Sequence, residues 1–201
     1  MRSCFTWLIC VAALCLFFTV ADAQPYRKLT IDDYRGVPYT ENGASIAYTN
    51  CSIEYSFAVA KREKGYYILN FNIRLTMDNH KSWMDKNRVN AVNMLAEVLK
   101  HEQGHYNLAY LEQQELLRTV SKTVFYGDYQ NAANNIFYRI DAKYQKLNLA
   151  YDEETQHMTN VGQQHSWDLY FKNQLGTGIF CEQLDKFYLN QNTSFFRFDN
   201  F

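Results

Sequence analysis

The sequence carries almost no net charge, and beyond its N-terminus it contains no apolar run long enough to cross a membrane. Its 20 basic and 21 acidic residues give a formal net charge of −1 over 201 residues. This balance lacks the basic excess that binding to nucleic-acid phosphates requires, so we expect no nucleic-acid partner. Internal repeats and low-complexity linkers are also missing, and the length suits a single domain.

The one long apolar run, FTWLICVAALCLFFTV, covers residues 5–20 and follows the basic Arg2. It is shorter than the roughly 20 residues that a spanning helix needs, and the small-residue cleavage pattern Ala-Asp-Ala follows at residues 21–23. We therefore interpret residues 1–23 as a signal peptide and residues 24–201 as a single exported domain. After cleavage we expect no membrane attachment.

Cysteines are few, and three of the five lie in the leader. The mature chain keeps Cys51 and Cys181, which have only each other as partners. In the oxidising compartment that export implies, we predict a disulfide between them. The alternative is two separate buried thiols.

Hydrophobic patterning divides the mature chain into two halves. Two segments around residues 53–59 and 69–77 alternate apolar and polar residues as half-buried strands do, and the charged KREKG at 61–65 predicts the turn of a hairpin. From about residue 90 the apolar spacing becomes helical, and further helices are predicted from Asp128 and over 163–175. We predict an α+β fold, zincin-like, in which an antiparallel sheet precedes a helical half.

The first predicted helix contains the motif LKHEQGHYNLAYLEQQELL, which places two histidines and a glycine where they add little to helix stability. His101 and His105 are four residues apart and therefore project from one side of the helix, where both imidazoles can reach one ion. Glu102 lies beside that position and can take a proton from a water that the metal activates. This is the H-E-x-x-H pattern of zinc peptidases, with zinc as the expected cofactor. Gly104, lacking a Cβ, would allow close approach of a neighbouring backbone or of the second helix; the alternative is that the helix simply tolerates a glycine here.

A catalytic zinc needs a third protein ligand and an open position for water. His157, which closes the segment YDEETQH, is the ligand we predict, because an antiparallel second helix would return it to the first. Glu153 and Glu154 are the alternatives. We interpret His80 and His165 as surface or supporting residues.

Several segments together resemble a bacterial family of secreted zinc-dependent proteases that is catalogued as a domain of unknown function. They are KLTIDDYRGVP (28–38), KSW (81–83), LKHEQGHYNLA (99–109), YDEETQH (151–157) and QHSW (164–167). The resemblance implies zinc binding by His101 and His105 and catalysis by Glu102. It also implies a functional role for the residues of a Y-D-x-x-T-x-H pattern, namely Tyr151, Asp152, Thr155 and His157.

These observations predict a secreted zinc metallohydrolase, in first place a peptidase acting on a protein or peptide substrate. Glu102 would be the general base and Tyr151 a candidate donor to the oxyanion. Two alternatives stay open at this point. One is a non-catalytic exported binding protein whose zinc is structural, and the other is a hydrolase of cell-wall amides.

Overall fold

The computed structural model describes residues 26–39, 45–89 and 91–192, without the side chains of Val92 and of residues 177–192. The predicted signal peptide and the C-terminal segment TSFFRFDNF lie outside these residues. The order of elements is a 3₁₀ turn at Ile31–Asp33, four strands and then three long helices. The predicted α+β order, with the sheet before the helices, is therefore confirmed.

A long antiparallel hairpin forms the larger of two ladders. Strand β2, Cys51–Arg62, pairs with β3, Tyr67–Met77, and the register places Phe57 opposite Phe71. Alternate residues on one face of the hairpin are half-buried or buried while their neighbours are exposed, as the period of two predicts. A register shift between Val59 and Lys61 bends the hairpin shortly before its turn.

The second ladder is short and the sequence did not reveal it. Strand β1, Ala47–Tyr48, pairs antiparallel with β4, Trp83–Met84. Strands of two residues carry no measurable alternation, so nothing in the pattern distinguishes them from a loop. The ladder nevertheless matters for the site, because it fixes the chain immediately before Thr49.

Two of the three helices pack on the buried face of the hairpin, and the third packs on the other two. The helices are α1 at Val92–Ser121, α2 at Tyr129–Thr155 and α3 at Val161–Asn192, so the first two agree with the prediction and the third is longer than predicted. The main core lies between the hairpin and these helices, and its buried members include Ile73, Leu108, Leu116, Ile140, Tyr151, Trp167 and Phe171. Helix α1 runs through the centre of this arrangement and contacts both other helices and the hairpin.

None of the described helices has a stretch both long and apolar enough to cross a membrane. Cys51 is half-buried and forms no disulfide with any described side chain, and burial raises the pKa of its thiol to about 12. The side chain of Cys181 lies outside the described residues, so the disulfide stays a prediction.

Candidate metal centre

Helix α1 carries both motif histidines on one face, as the four-residue spacing predicts. The rings of His101 and His105 lie 5.0 Å apart and perpendicular to each other. His101 is buried, with 4% of its surface exposed, and the side chain of His105 is 14% exposed. The two imidazoles are thus largely buried, yet both line an open cleft.

A single carboxylate oxygen is the meeting point of three imidazoles. Oδ1 of Asp152 lies 3.2 Å from Nε2 of His101, 3.1 Å from Nε2 of His105 and 3.4 Å from Nδ1 of His157. Donor atoms of His101, Asp152 and His157 lie within 4.8 Å of one another, and so do those of His101, Glu102 and His105. Both groups are compact enough to hold a metal ion.

Hydrogen bonds to the second ring nitrogen orient each motif histidine. Nδ1 of His105 lies 2.7 Å from Oδ1 of Asn148 on α2, and Nδ1 of His101 lies 3.2 Å from Oε1 of Gln164 on α3. An amide oxygen can only accept, so Nδ1 of each histidine is the donor and each Nε2 points towards the meeting point. This is the arrangement of partners that commonly orients metal-binding histidines in proteins.

Without a metal, the charges of the site stabilise one another. Burial alone would raise the pKa of Asp152, but hydrogen bonds from His101 and His105 outweigh it and hold this pKa well below its usual value. Burial alone would lower the pKa of His105, but its bond to Asp152 and the negative charge of Glu102 together raise it. Nε2 of His105 cannot bind a proton and a metal ion at the same time, so metal binding should weaken as the pH falls.

Glu102 is held beside the histidines by the segment that follows β1. Glu102 is only 4% exposed, and its Oε2 atom accepts a 2.5 Å hydrogen bond from the Thr49 hydroxyl. Thr49 in turn lies 3.0 Å from the hydroxyl of the buried Tyr34. The short strand β1 therefore positions a hydroxyl that orients the carboxylate.

At Gly104 a side chain of α2 packs directly on the backbone of α1. A Cβ at this position would come within 2.6 Å of Cε1 of Tyr151 and closer still to Cζ and the hydroxyl. The phenol ring stacks on His101 at 4.7 Å between centroids, and its hydroxyl donates to the backbone oxygen of His101 at 3.0 Å. The expected close approach of a helix at Gly104 is thus confirmed, and a side chain of α2 occupies the space.

The prediction that Tyr151 donates to the oxyanion is wrong, because its side chain is packed between the helices. The residue is 0% exposed, and its hydroxyl is taken up by His101 and by the Gln164 amide, which donates to it at 2.9 Å. It does not line the cleft. Tyr151 instead stacks on the His101 ring without lining the cleft itself.

His157 reaches the site from an unusual turn rather than from a helix. Helix α2 ends at Thr155, and Gln156, His157 and Met158 follow with φ values of 49°, 49° and 75°. Three successive non-glycine residues in the left-handed region are costly and are expected only where surrounding contacts hold them. The turn brings the His157 ring to 6.5 Å from that of His101, while its side chain is 68% exposed.

The other candidates do not join the cluster. Glu153 is exposed, and Glu154 accepts a 2.9 Å hydrogen bond from the Trp167 indole instead. His80 and His165 are exposed and lie apart from the cleft, as their interpretation as surface residues requires. Among the described residues, the carboxylate at the meeting point is Asp152, which the resemblance named only as functional.

Sequence reasoning missed three supporting residues: Thr49, Asn148 and Gln164. For Asn148 a signal was available, because it lies one turn before Asp152 and therefore on the same face of α2. Gln164 opens the segment QHSW of the resemblance, but no spacing links it to the histidines, and Thr49 lies in a loop without any such signal. Their contribution depends on tertiary packing alone.

A cleft of about 900 Å³ opens over the cluster. Helix α1 forms its floor from Met94 to Glu112, the segment from Ser45 to Ile53 forms one wall, and α2 forms the other. At 1.5 Å per residue this floor is about 27 Å long. An extended chain of roughly eight residues at 3.3 Å each could lie along it.

Imidazole nitrogens and carboxylate oxygens are the donors that zinc accepts, so the residues present fit this metal. His101 would hold it together with Glu102 and His105 or together with Asp152 and His157, because the donor atoms of each of these two groups lie close together. The donor chemistry does not by itself select zinc over other divalent transition metals.

Replacing Asn148 by leucine should weaken zinc binding by about 10- to 100-fold, because leucine has a similar shape but cannot fix the proton on Nδ1 of His105. Zinc affinity measured by competition with a chelating dye tests this. Asn134→Leu, on the exposed face of the same helix, is the matched control and should bind as the parent does. Equal affinity of both variants would contradict the orienting role of Asn148.

A family model described as "Bacterial protein of unknown function (DUF922)" matches residues 30–158. The matched segment is well over half of the chain and includes the H-E-x-x-H motif, Asp152 and His157. Comparison with curated proteins and with solved structures finds no significant match. On the strength of the family match, this chain belongs to the bacterial DUF922 family.

Proposed function

We propose that this protein is an exported zinc-dependent hydrolase that cleaves peptide bonds. The observation that supports the proposal most directly is the orientation of the motif histidines. Both are anchored through Nδ1 and present Nε2 to a common point, beside a buried carboxylate and at the floor of an open cleft. Histidines that only stabilised the packing of a helix would not need to combine these features.

When bound, zinc would supply a Lewis acid that polarises a carbonyl group and lowers the pKa of water. The remaining chemistry belongs to the chain itself. Glu102 would accept the proton of the attacking water and later pass it to the leaving amine. Thr49 fixes one oxygen of this carboxylate through a 2.5 Å bond, which orients the other oxygen for that transfer.

The shape of the cleft supports a polymeric substrate. Its floor along α1 is long enough for an extended peptide, and the histidine cluster lies partway along it, between Met94 and Glu112. A substrate chain could therefore continue on both sides of the reacting bond. This geometry suits cleavage within a chain better than the removal of a single terminal residue.

One observation favours a second candidate, a structural zinc. Asp152 adds a fourth donor to the three histidines, and four protein ligands are the number that closed structural sites use. In that case the ion would only tie the end of α2 to α1. The cleft and the buried Glu102 would then have no role.

The test is hydrolysis by the zinc-loaded mature protein, with casein and purified peptidoglycan as separate substrates. We expect casein to be cleaved, the activity to disappear on chelation and to return with added zinc, and His105→Ala to be inactive. Cleavage of peptidoglycan alone would replace the peptidase by a cell-wall amide hydrolase. Stoichiometric zinc without any hydrolysis would contradict the proposal and favour the structural site.

A further inference from the structure

The cleft has an acidic end that the chemistry described so far does not use. Glu112 is seven residues beyond His105 on α1, so it faces the same side to within about 20° and lies roughly 10 Å along the helix axis. It lines the cleft together with Asp141 and Tyr144 of α2. An extended substrate would cover that distance in about three residues.

Glu112 is buried, and no described residue is a partner for its charge. Only 8% of the residue is exposed, and its Oε1 atom has no hydrogen-bond partner in the described part of the chain. Burial, followed by the charges of Asp141 and Glu115, raises the pKa of Glu112 to about 7. No basic side chain forms an ion pair with Glu112 within the described ranges. A buried carboxyl group without such a partner normally costs stability, which calls for a reason.

Its neighbour on the same helix shows what a satisfied glutamate looks like here. Glu115 accepts a 2.5 Å contact from Lys143 and a 3.0 Å hydrogen bond from the Tyr144 hydroxyl, outside the cleft. These partners outweigh its partial burial, so the pKa of Glu115 is lowered. The two residues are three positions apart, yet Glu112, which faces the cleft, has no basic partner among the side chains that the structure describes.

The approach to Glu112 is apolar. Leu108 and Ala109 of α1 and Leu149 of α2 line the cleft between the histidines and the acidic end. Such a surface suits the aliphatic part of a lysine or arginine side chain, and a carboxylate at its end suits the charged head. Asp141 adds a second carboxylate, whose Oδ2 accepts a 2.7 Å bond from Gln145.

We propose that Glu112 and Asp141 form a subsite for a lysine or arginine side chain of the substrate, about three residues from the bond that is cleaved. The subsite rests on the proposed peptidase function for its biological meaning. Its cation binding, however, can be measured without any hydrolysis.

Binding is tested with n-butylguanidinium, which resembles the end of an arginine side chain, and with the uncharged n-butylurea. Calorimetric titration of the full mature protein should show the cation binding roughly tenfold to a hundredfold more tightly, as a hydrogen bond to a charged partner implies. Glu112→Gln keeps the shape and should abolish this preference. Glu115→Gln, the matched control on the same helix, should retain it.

Hydrolysis gives the second readout. Two peptides that differ only in carrying arginine or its uncharged isostere citrulline should differ roughly tenfold to a hundredfold in kcat/KM for the parent protein. For Glu112→Gln the two peptides should have nearly the same kcat/KM. Equal binding of the two small probes, or a preference that survives in Glu112→Gln, would overturn the subsite while leaving peptide cleavage intact. Preference for the cation without cleavage of any peptide would instead contradict the proposed function and leave the subsite standing.

Discussion

Exchange of Glu102 for glutamine is expected to lower peptide hydrolysis by about two to four orders of magnitude while zinc content stays at the parent level. Glutamine preserves the shape and can still accept the hydrogen bond from Thr49, so the cleft and the histidines keep their places. It cannot take a proton from water at neutral pH. Elemental analysis of bound zinc, combined with initial rates on a peptide substrate, measures both quantities on the same preparation.

Glu97→Gln provides the control, because Glu97 lies on the exposed side of α1 and pairs only with Lys100 among the described residues. This variant should match the parent in zinc and in rate. An active Glu102→Gln protein would show that another group moves the proton. Loss of zinc together with activity would show that Glu102 helps to hold the metal.

Alanine in place of Gly104 should destabilise the protein by about 2 kcal/mol or more, although alanine is the better helix former by about 1 kcal/mol. The new Cβ would overlap the Tyr151 ring, which is fixed between α1 and α3 by His101, Trp167 and Phe171. A rigid ring in a packed core cannot move aside as a flexible side chain can. Urea unfolding followed by circular dichroism measures the difference.

Gly162→Ala is the matched substitution, since this glycine also lies in a helix and its Cβ would meet only Asn160 at an ordinary 3.7 Å. It should leave the protein as stable as the parent or slightly more so. If Gly104→Ala were also neutral, the helices would be free to separate at this point. The stacking of Tyr151 on His101 would then not be a fixed part of the site.

The hairpin and the first two helices could be predicted because their periodicity is long and regular. Alternation over residues 53–59 and 69–77 reveals β2 and β3, whereas the two-residue strands β1 and β4 offer no pattern. Helix α3 continues to Asn192 through Gly176 and Gly178, where glycines weakened the helical signal. Its observed length therefore exceeds the prediction of 163–175.

The candidate site likewise contains residues that the sequence predicts and residues that it does not. Spacing of four on one helix is enough to predict that His101 and His105 face one point, and an antiparallel return was enough to suggest His157. Choosing among three consecutive acidic residues at 152–154 was not possible from the sequence, because a helix turns by about 100° at each step and only the packing decides which one faces α1. The structure turns Asp152 inward and leaves its two neighbours outside the cluster.

The packing of α3 has a consequence for where a fragment of this protein could be cut. The family match ends at residue 158, before α3 begins. Yet Gln164 of α3 holds Nδ1 of His101, and Trp167 and Phe171 cover Tyr151. A fragment trimmed to the matched boundaries would expose this part of the core to water and leave the first motif histidine without its anchor. Expression of a foldable unit should therefore extend beyond the family boundary, through α3 to at least Leu175, which still packs against the core.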